Sequence, residues 1–233
     1  MRWADAFSAR ASTEPWDVRA RRYPEVVSHD RDELIRLIRD EALFHGDFTL
    51  TSGQRASFYI DLRKLSLDHR AAPLIGRILL DLVDEFEPVD AVGGLTMGAD
   101  PLASSVLHQG VAQGRKIDAF VVRKQPKDHG RGRQIEGADV AGKRVVVLED
   151  TSTTGGSPLT AIAALERAGA TVLAVCVVVD RGTEARNRIE AAGYAYRYAI
   201  GLDDLGLADA ANVEAPASAS SAPETRRQSG ASA

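Results

Sequence analysis

The sequence predicts an α/β domain, built as a mostly parallel sheet with helices on both faces. Segments with helical and with strand periodicity alternate through the middle of the 233-residue chain, from about residue 29 to 208. The run at 172–179 is apolar throughout, which is typical of a strand buried on both faces and too short for a membrane span of roughly 20 residues. Such alternation implies right-handed crossovers between parallel strands.

Two helices are predicted ahead of the sheet. Asp30 and Glu33 have the spacing of a capping box, which predicts a helix N-terminus. The apolar face of this helix would be formed by Leu34, Leu37, Ile38 and Ala42. A second helix is predicted where apolar residues step by four along residues 74–86.

Strands and helices then follow in alternation. Strands are predicted at residues 89–93, 117–122, 144–148, 172–179 and 194–199, and helices at 99–113, 158–168 and 184–192. The helix at 158–168 has a clear start signal, because Ser157 suits an N-cap and Pro158 suits the first helical position.

The two ends of the chain differ from this middle. Residues 209–233 are rich in Ala, Ser and Pro without an apolar period, which predicts a disordered tail. Residues 1–28 contain a basic cluster and prolines, so we interpret them as a loose extension. Between them, residues 29–208 are predicted to form one domain.

The composition excludes several classes of function. The formal net charge of -4 gives no general reason to expect nucleic acid or an anionic membrane as partner. Cys176 is the single cysteine, so it cannot form an internal disulfide, and no Cys and His residues have the spacing of a zinc site. With no signal-like apolar stretch near the N-terminus, we expect a cytoplasmic protein.

The segment VVVLEDTSTTGGSP at residues 145–158 carries the strongest chemical signal. Ligands of such sheets bind beyond the carboxyl ends of strands, where Glu149 and Asp150 stand. The small residues that follow allow backbone N–H groups and a helix N-terminus to hold a phosphate. The two carboxylates suit a vicinal diol, so a ribose 5-phosphate would satisfy both parts. A plain strand-to-helix turn with a solvated acidic pair is the alternative.

This segment resembles the phosphoribosyl pyrophosphate motif of type I phosphoribosyltransferases. The resemblance implies that Glu149 and the catalytic Asp150 contact the ribose. It also implies a phosphate-binding set of Thr151, Ser152, Thr153, Thr154, Gly155, Gly156 and Ser157. The nucleotide-binding alternatives lack support, because no Walker motif occurs and residues 130–132 lack the third glycine of a dinucleotide fingerprint.

The segment RKQPKDHGRGR at residues 123–133 contains five basic residues and one acid, which predicts a mobile cationic loop. A solvated basic surface is the alternative. Its pattern resembles the catalytic loop of orotate phosphoribosyltransferases, which in that family closes over the pyrophosphate of the neighbouring subunit. The resemblance implies that Arg123 and the catalytic Lys124, Lys127 and His129 bind pyrophosphate, with Asp128 beside them.

The segment HGDFTLTSGQRASFYIDLRK at residues 45–64 alternates like a hairpin with Ser-Gly at its turn. It resembles the orotate-binding region of the same family, in a small hood-like subregion, and Phe58 and Tyr59 fall where the family has aromatic residues near the pyrimidine. The chain departs from the family at Thr51, where many members have lysine.

Two further strand ends complete the set of candidates. The segment GGLTMGADP at residues 93–101 resembles the pyrophosphate loop of the superfamily, which implies a contact from Thr96; a tight turn is the alternative. Arg181, in the sequence D-R-G after the apolar run, is implied to bind the orotate carboxylate as a bidentate partner.

The resemblance covers residues 31–207 and implies an enzyme of pyrimidine biosynthesis. Such an enzyme joins orotate to phosphoribosyl pyrophosphate and releases orotidine 5′-monophosphate and pyrophosphate. It also implies magnesium held mainly by substrate oxygens, with no metal site made by the protein, and a homodimer with shared active sites. We expect neither nucleic acid nor membrane as partner. The alternatives are a phosphoribosyltransferase for another base and a non-enzymatic regulator that binds the same ligand.

Overall fold

The computed structural model describes residues 25–49, 55–86, 88–125 and 133–208. The strands are β1 (Leu43–Thr49), β2 (Arg55–Ile60), β3 (Ala91–Leu95), β4 (Asp118–Val122), β5 (Ile135–Gly137), β6 (Arg144–Ser152), β7 (Thr171–Asp180) and β8 (Ala195–Gly201). The α-helices are α1 (Glu25–Leu37), α2 (Leu62–Ser66), α3 (Ala71–Val83), α4 (Ala99–Ala112), α5 (Gly156–Arg167) and α6 (Ala185–Ala191). A π-helical turn, Ile38–Ala42, continues α1, and two short 3-10 turns lie at Asp84–Phe86 and Asp203–Leu205.

Six strands form one sheet in the order β5-β4-β3-β6-β7-β8. All neighbours in it are parallel except β5, which runs antiparallel to β4 at the edge. β1 and β2 form a separate antiparallel pair, the predicted hairpin. The predicted α/β class, with a mostly parallel sheet and a small N-terminal subregion, is therefore confirmed.

The side chains of β6 show why this sheet needs helices on both faces. Val146 and Leu148 pack into one apolar cluster with residues of α1, α3 and α4. Val145 and Val147 point the other way, into a second cluster with residues of α5 and α6. All four are fully buried, and each stabilises the fold by about 1.5–3 kcal/mol relative to an exposed side chain. The carboxyl end of β6 is thereby held in the middle of the molecule.

The predicted capping box at Asp30 is wrong. α1 already begins at Glu25, inside the segment interpreted as a loose extension, so Asp30 lies within the helix. Its buried carboxylate accepts two hydrogen bonds from Arg77 of α3, at 2.6 and 2.9 Å. Asp30 therefore links helix α1 to helix α3. The rest of the predicted extension and the whole predicted tail lie outside the described residues.

The predicted N-cap at Ser157 is also wrong. α5 begins at Gly156, and its N-cap is Gly155, whose φ of 72° is left-handed. A Cβ atom there would lie 3.3 Å from the backbone of Ala185, so both the conformation and the close approach favour glycine. β6 continues to Ser152 because it pairs with β7 as far as Asp180. The connection between β6 and α5 is thus shorter than predicted.

Candidate active site

A cleft of about 540 Å³ opens at the carboxyl ends of β6 and β7, as the strand-end rule predicts. The predicted residues that line it are Tyr59, Lys124, Glu149, Asp150, Arg181 and all of 151–157. Phe58, Thr96 and Arg123 are not among its described lining residues. Lys127, Asp128, His129 and Thr51 lie outside the part of the chain that the structure describes.

Glu149 and Asp150, the acidic pair, stand at the floor of this cleft. Oε2 of Glu149 is buried and has no hydrogen-bond partner among the described residues. Burial, together with the neighbouring charge of Asp150, raises the pKa of Glu149 to about 9. Burial also raises the pKa of Asp150, against the opposing effect of the Thr151 N–H, which donates to Oδ1 at 2.6 Å. Burial of these carboxyl groups and the unpartnered Oε2 of Glu149 argue against the alternative of a solvated acidic pair.

The connection from β6 to α5 is held in place from the side of α6. The backbone carbonyl of Thr154 accepts a hydrogen bond from Nη1 of Arg188 at 2.6 Å. The carbonyl of Thr153 accepts one from the hydroxyl of Thr183. With these carbonyls bound on the α6 side, the loop is fixed at the N-terminus of α5, where unpaired N–H groups and the helix dipole attract a phosphate.

Ser152 differs from its neighbours in this segment. Its side chain is buried, and its hydroxyl donates a hydrogen bond to Oδ1 of Asp180 at 2.9 Å. The same hydroxyl accepts a hydrogen bond from Tyr196 at 2.8 Å. The Ser152 hydroxyl is therefore occupied within the protein.

Arg181 follows β7 and is only 8% exposed. Its guanidinium carbon lies 4.8 Å from the centre of the Phe58 ring, and its Nε has no hydrogen-bond partner among the described residues. Burial lowers the pKa of Arg181. A buried cation that lines a cleft, with no acidic partner in the described part of the chain, favours an anionic ligand.

The two aromatic residues of β2 point to opposite faces of the strand, because successive side chains alternate. Phe58 is buried beneath Arg181 and does not line the cleft, whereas Tyr59 does. The Tyr59 hydroxyl accepts a hydrogen bond from Nη2 of Arg63 at 3.2 Å. Arg63, on α2, also lines the cleft, and the sequence analysis missed it. The signal available was a basic pair, Arg63-Lys64, in the short helix that follows the second hairpin strand.

The turn after β3 approaches the acidic pair through its backbone. A Cβ atom on Gly98 would lie 3.0 Å from the carboxyl group of Asp150. The Thr96 hydroxyl donates to Oδ2 of Asp100 at 2.8 Å, so the protein itself uses the side chain for which a substrate contact was implied. Gly98, rather than Thr96, is the residue of this turn that borders the acidic pair.

The cationic segment is anchored at both ends. The Arg123 N–H donates to the Gln134 carbonyl at 2.8 Å, and Nε2 of Gln134 donates back to the Arg123 carbonyl at 3.1 Å. Arg123 also lies 3.9 Å from the carboxylate of Glu136 on β5. Lys124 comes next in the chain and lines the cleft.

The fold and this cleft define a phosphoribosyltransferase of type I. Residues 66–194 match the family model described as a phosphoribosyl transferase domain. The orotate phosphoribosyltransferase of Tropheryma whipplei (strain Twist) is 57% identical over 182 residues, covering 77% of this chain and 85% of that relative. The enzyme of the same name from Streptomyces coelicolor is 57% identical over 178 residues, covering 76% and 97%. The chain belongs to the orotate phosphoribosyltransferase family.

Solved structures agree with this assignment. The orotate phosphoribosyltransferase of Mycobacterium tuberculosis H37Rv, in complex with Fe(III) dicitrate, superposes with a TM-score of 0.69 at 52% identity, covering 76% of this chain and 99% of that one. The same enzyme in complex with 5-phospho-alpha-D-ribosyl 1-diphosphate gives a TM-score of 0.66 at 48% identity, with the same coverage.

Proposed function

We propose that this chain transfers the 5-phosphoribosyl group from phosphoribosyl pyrophosphate to orotate, giving orotidine 5′-monophosphate and pyrophosphate in pyrimidine biosynthesis. The observation that carries the proposal is the meeting of three complementary features in one cleft. They are the acidic pair with its unpartnered Glu149 Oε2, the loop at the N-terminus of α5, and the buried Arg181, which has no acidic partner among the described residues.

Each feature takes one part of the two substrates. The N–H groups at the start of α5 bind the 5-phosphate. The ribose hydroxyls donate to Glu149 and Asp150, which supplies the missing partner of the buried Oε2. Arg181 binds the orotate carboxylate, and Tyr59 lies beside the pyrimidine ring. An uncharged base would leave Arg181 unpaired, so this arrangement favours orotate.

The reaction then proceeds mainly through positioning and electrostatics. The ribose carbon loses pyrophosphate through an oxocarbenium-like state while the ring nitrogen of orotate attacks. Lys124 at the cleft, with Arg123, Lys127 and His129 and with Asp128 beside them, stabilises the negative charge on the departing oxygens. Closure of this segment would exclude water, whose attack on the activated ribose is the competing reaction.

Magnesium fits this arrangement as a substrate-borne ion. The described residues contain no group of three or more His, Cys, Asp or Glu side chains that could hold a metal. The hard oxygens of pyrophosphate and of the ribose hydroxyls are its natural ligands, and the acidic pair would hold those hydroxyls. When bound, magnesium neutralises charge on the pyrophosphate.

The partners we propose are small molecules and a second copy of the chain. Within the described residues, no helix is long and apolar enough to span a membrane. The free, buried thiol of Cys176 fits the reducing cytoplasm, where we propose that the enzyme acts.

A spectrophotometric assay with orotate, phosphoribosyl pyrophosphate and magnesium tests the proposed reaction. We expect orotidine 5′-monophosphate to form with orotate, and no nucleotide with uracil, adenine or hypoxanthine. Turnover of another base in preference to orotate would favour a phosphoribosyltransferase for that base. Binding of phosphoribosyl pyrophosphate without any turnover would favour a regulator.

A shared active site is tested by mixing two inactive variants, Lys127→Ala and Asp150→Ala, through co-refolding in equal amounts. If the cationic segment acts on the neighbouring subunit, each heterodimer has one intact site and one with both lesions. Random pairing makes half of the dimers mixed, so about a quarter of wild-type activity should return. No recovery in a mixture that contains heterodimers would reject sharing.

A further inference from the structure

A chain of buried hydrogen bonds lies beneath the turn that carries Arg181. The Tyr196 hydroxyl donates to Oγ of Ser152 at 2.8 Å, and the Ser152 hydroxyl donates to Oδ1 of Asp180 at 2.9 Å. The backbone N–H of Gly182 donates to the same carboxylate oxygen at 3.0 Å. Ser152, Asp180 and Tyr196 are 2%, 7% and 1% exposed, so water cannot replace these bonds.

Asp180, at the end of this series of hydrogen bonds, determines the backbone conformation on either side of Arg181. Asp180 precedes Arg181, and its side chain accepts from the N–H of Gly182, which follows. This is an Asx turn with Arg181 at its centre. Gly182 has a left-handed φ of 64°, so the chain turns sharply after the arginine. The position of the Asp180 carboxylate therefore sets where the arginine side chain starts.

The contact between β6 and β7 does not depend on these side chains. Ser152 and Asp180 are already paired through the backbone ladder of the two strands. A buried carboxylate is expensive to desolvate and is weak evidence for stability alone. The side-chain bonds add a fixed direction for the Asp180 carboxylate, and with it a fixed turn.

The tyrosine hydroxyl is suited to start this chain. Burial and the charge of Asp180 raise the pKa of Tyr196, so its hydroxyl stays protonated over the working range of the enzyme. All side-chain donors then point toward the carboxylate, and bonds aligned in this way strengthen one another.

We propose that Tyr196 is a positioning residue for orotate: acting through Ser152 and Asp180, its hydroxyl fixes the turn that presents Arg181 to the substrate carboxylate. Tyr196 touches no substrate, and its effect passes through Arg181 alone. The proposal rests on the proposed function, because it concerns the contact with orotate.

The test is a double-mutant cycle of Tyr196→Phe and Arg181→Ala, followed through the KM values of both substrates. Tyr196→Phe keeps the packed ring and removes the donor, so we expect the KM for orotate to rise about 3- to 10-fold. The KM for phosphoribosyl pyrophosphate should stay within about two-fold. In the Arg181→Ala background, Tyr196→Phe should not raise the orotate KM further, because residues that act in series are not additive.

Tyr194→Phe is the matched control. Tyr194 also has a bound hydroxyl, which donates to Glu166 at 2.5 Å, but it lies away from the cleft. We expect this control to keep both KM values. Should Tyr196→Phe fail to fold, Ser152→Ala is the second variant. It removes the middle hydroxyl of the hydrogen-bond series from Tyr196 to Asp180 and should give the same rise in the orotate KM.

Three results are decisive. A wild-type enzyme without orotate-dependent turnover would overturn the proposed function itself. An active wild type in which Tyr196→Phe lowers only the melting temperature, with an unchanged orotate KM, would overturn the positioning role. Equal effects of Tyr196→Phe with and without Arg181 would also overturn it, since the hydroxyl would then act by another route.

Discussion

Strand β6 ends in two buried polar regions of opposite character. Glu149 has a carboxylate oxygen without any partner in the described residues, whereas Ser152, at the end of the same strand, both donates and accepts a hydrogen bond. A buried acceptor without a donor is unfavourable for the free protein, so it indicates a place that a ligand completes. A buried polar group with all its partners indicates support for a neighbouring group.

The largest loss of activity is expected from changes to the acidic pair, where Glu149 has an oxygen without a hydrogen-bond partner among the described residues. Replacing both Glu149 and Asp150 by amides should lower kcat/KM for phosphoribosyl pyrophosphate by about 100-fold or more, because each amide replaces an oxygen that can accept from a ribose hydroxyl by an NH2 group that cannot. The fold should persist, since two buried ionisable groups are removed. Steady-state kinetics measure the fall in kcat/KM, and circular dichroism checks that the fold is retained. Unchanged kinetics would mean that the pair does not hold the ribose.

A smaller effect is expected at the boundary of the acidic pair. Gly98→Ala places a methyl group about 3.0 Å from the Asp150 carboxyl group, which must shift. We expect kcat/KM to fall about 10-fold, since small displacements of positioning groups are costly. Gly110→Ala, within helix α4, whose N-cap is Gly98, is the control because its methyl group would meet only an ordinary contact at 3.6 Å. Equal losses in both variants would show a general effect on the helix.

The smallest expected effect concerns stability as a function of pH. The pKa of Glu149 rises on folding from 4.5 to about 9, so the folded state holds a proton that the unfolded state releases. This group's stabilising contribution is complete below pH 4.5 and declines as the pH rises to 9. Glu149→Gln removes the decline, so its melting temperature should exceed that of the wild type by a few degrees at pH 8 and by less at pH 5.

Glu190→Gln, which removes an exposed carboxylate, is the control for that measurement. A constant difference between Glu149→Gln and the wild type across pH 5 to 8 would contradict the assignment of a retained proton to Glu149. Such a result would also remove the contrast between the two regions of β6.

The sequence allowed the sheet and the main site to be predicted because both depend on local patterns. The apolar run at residues 145–148 alternates between two faces, and the acidic pair follows directly at the strand end. Position relative to a strand end was sufficient to single out the acidic pair. Arg181 also follows a strand end, but its role was predicted from the family resemblance of the D-R-G sequence.

The errors arose where a local pattern competes with a distant partner. Asp30 and Glu33 have the spacing of a capping box, but the partner of Asp30 is Arg77, on another helix. Tyr196 stands near the start of β8, and the sequence pattern predicted only that it lies in a strand. Its long side chain reaches the far end of β6, which only the packed structure reveals.

The reciprocal hydrogen bonds of Arg123 and Gln134 have a consequence for changes in the length of the segment between them. They hold the two ends of the cationic segment together at the sheet edge, so the span to be bridged is independent of how many residues lie between. For a tethered loop, each doubling of length adds only about 0.6 kcal/mol of closure entropy. Insertions between Arg123 and Gln134 should therefore cost the fold little stability.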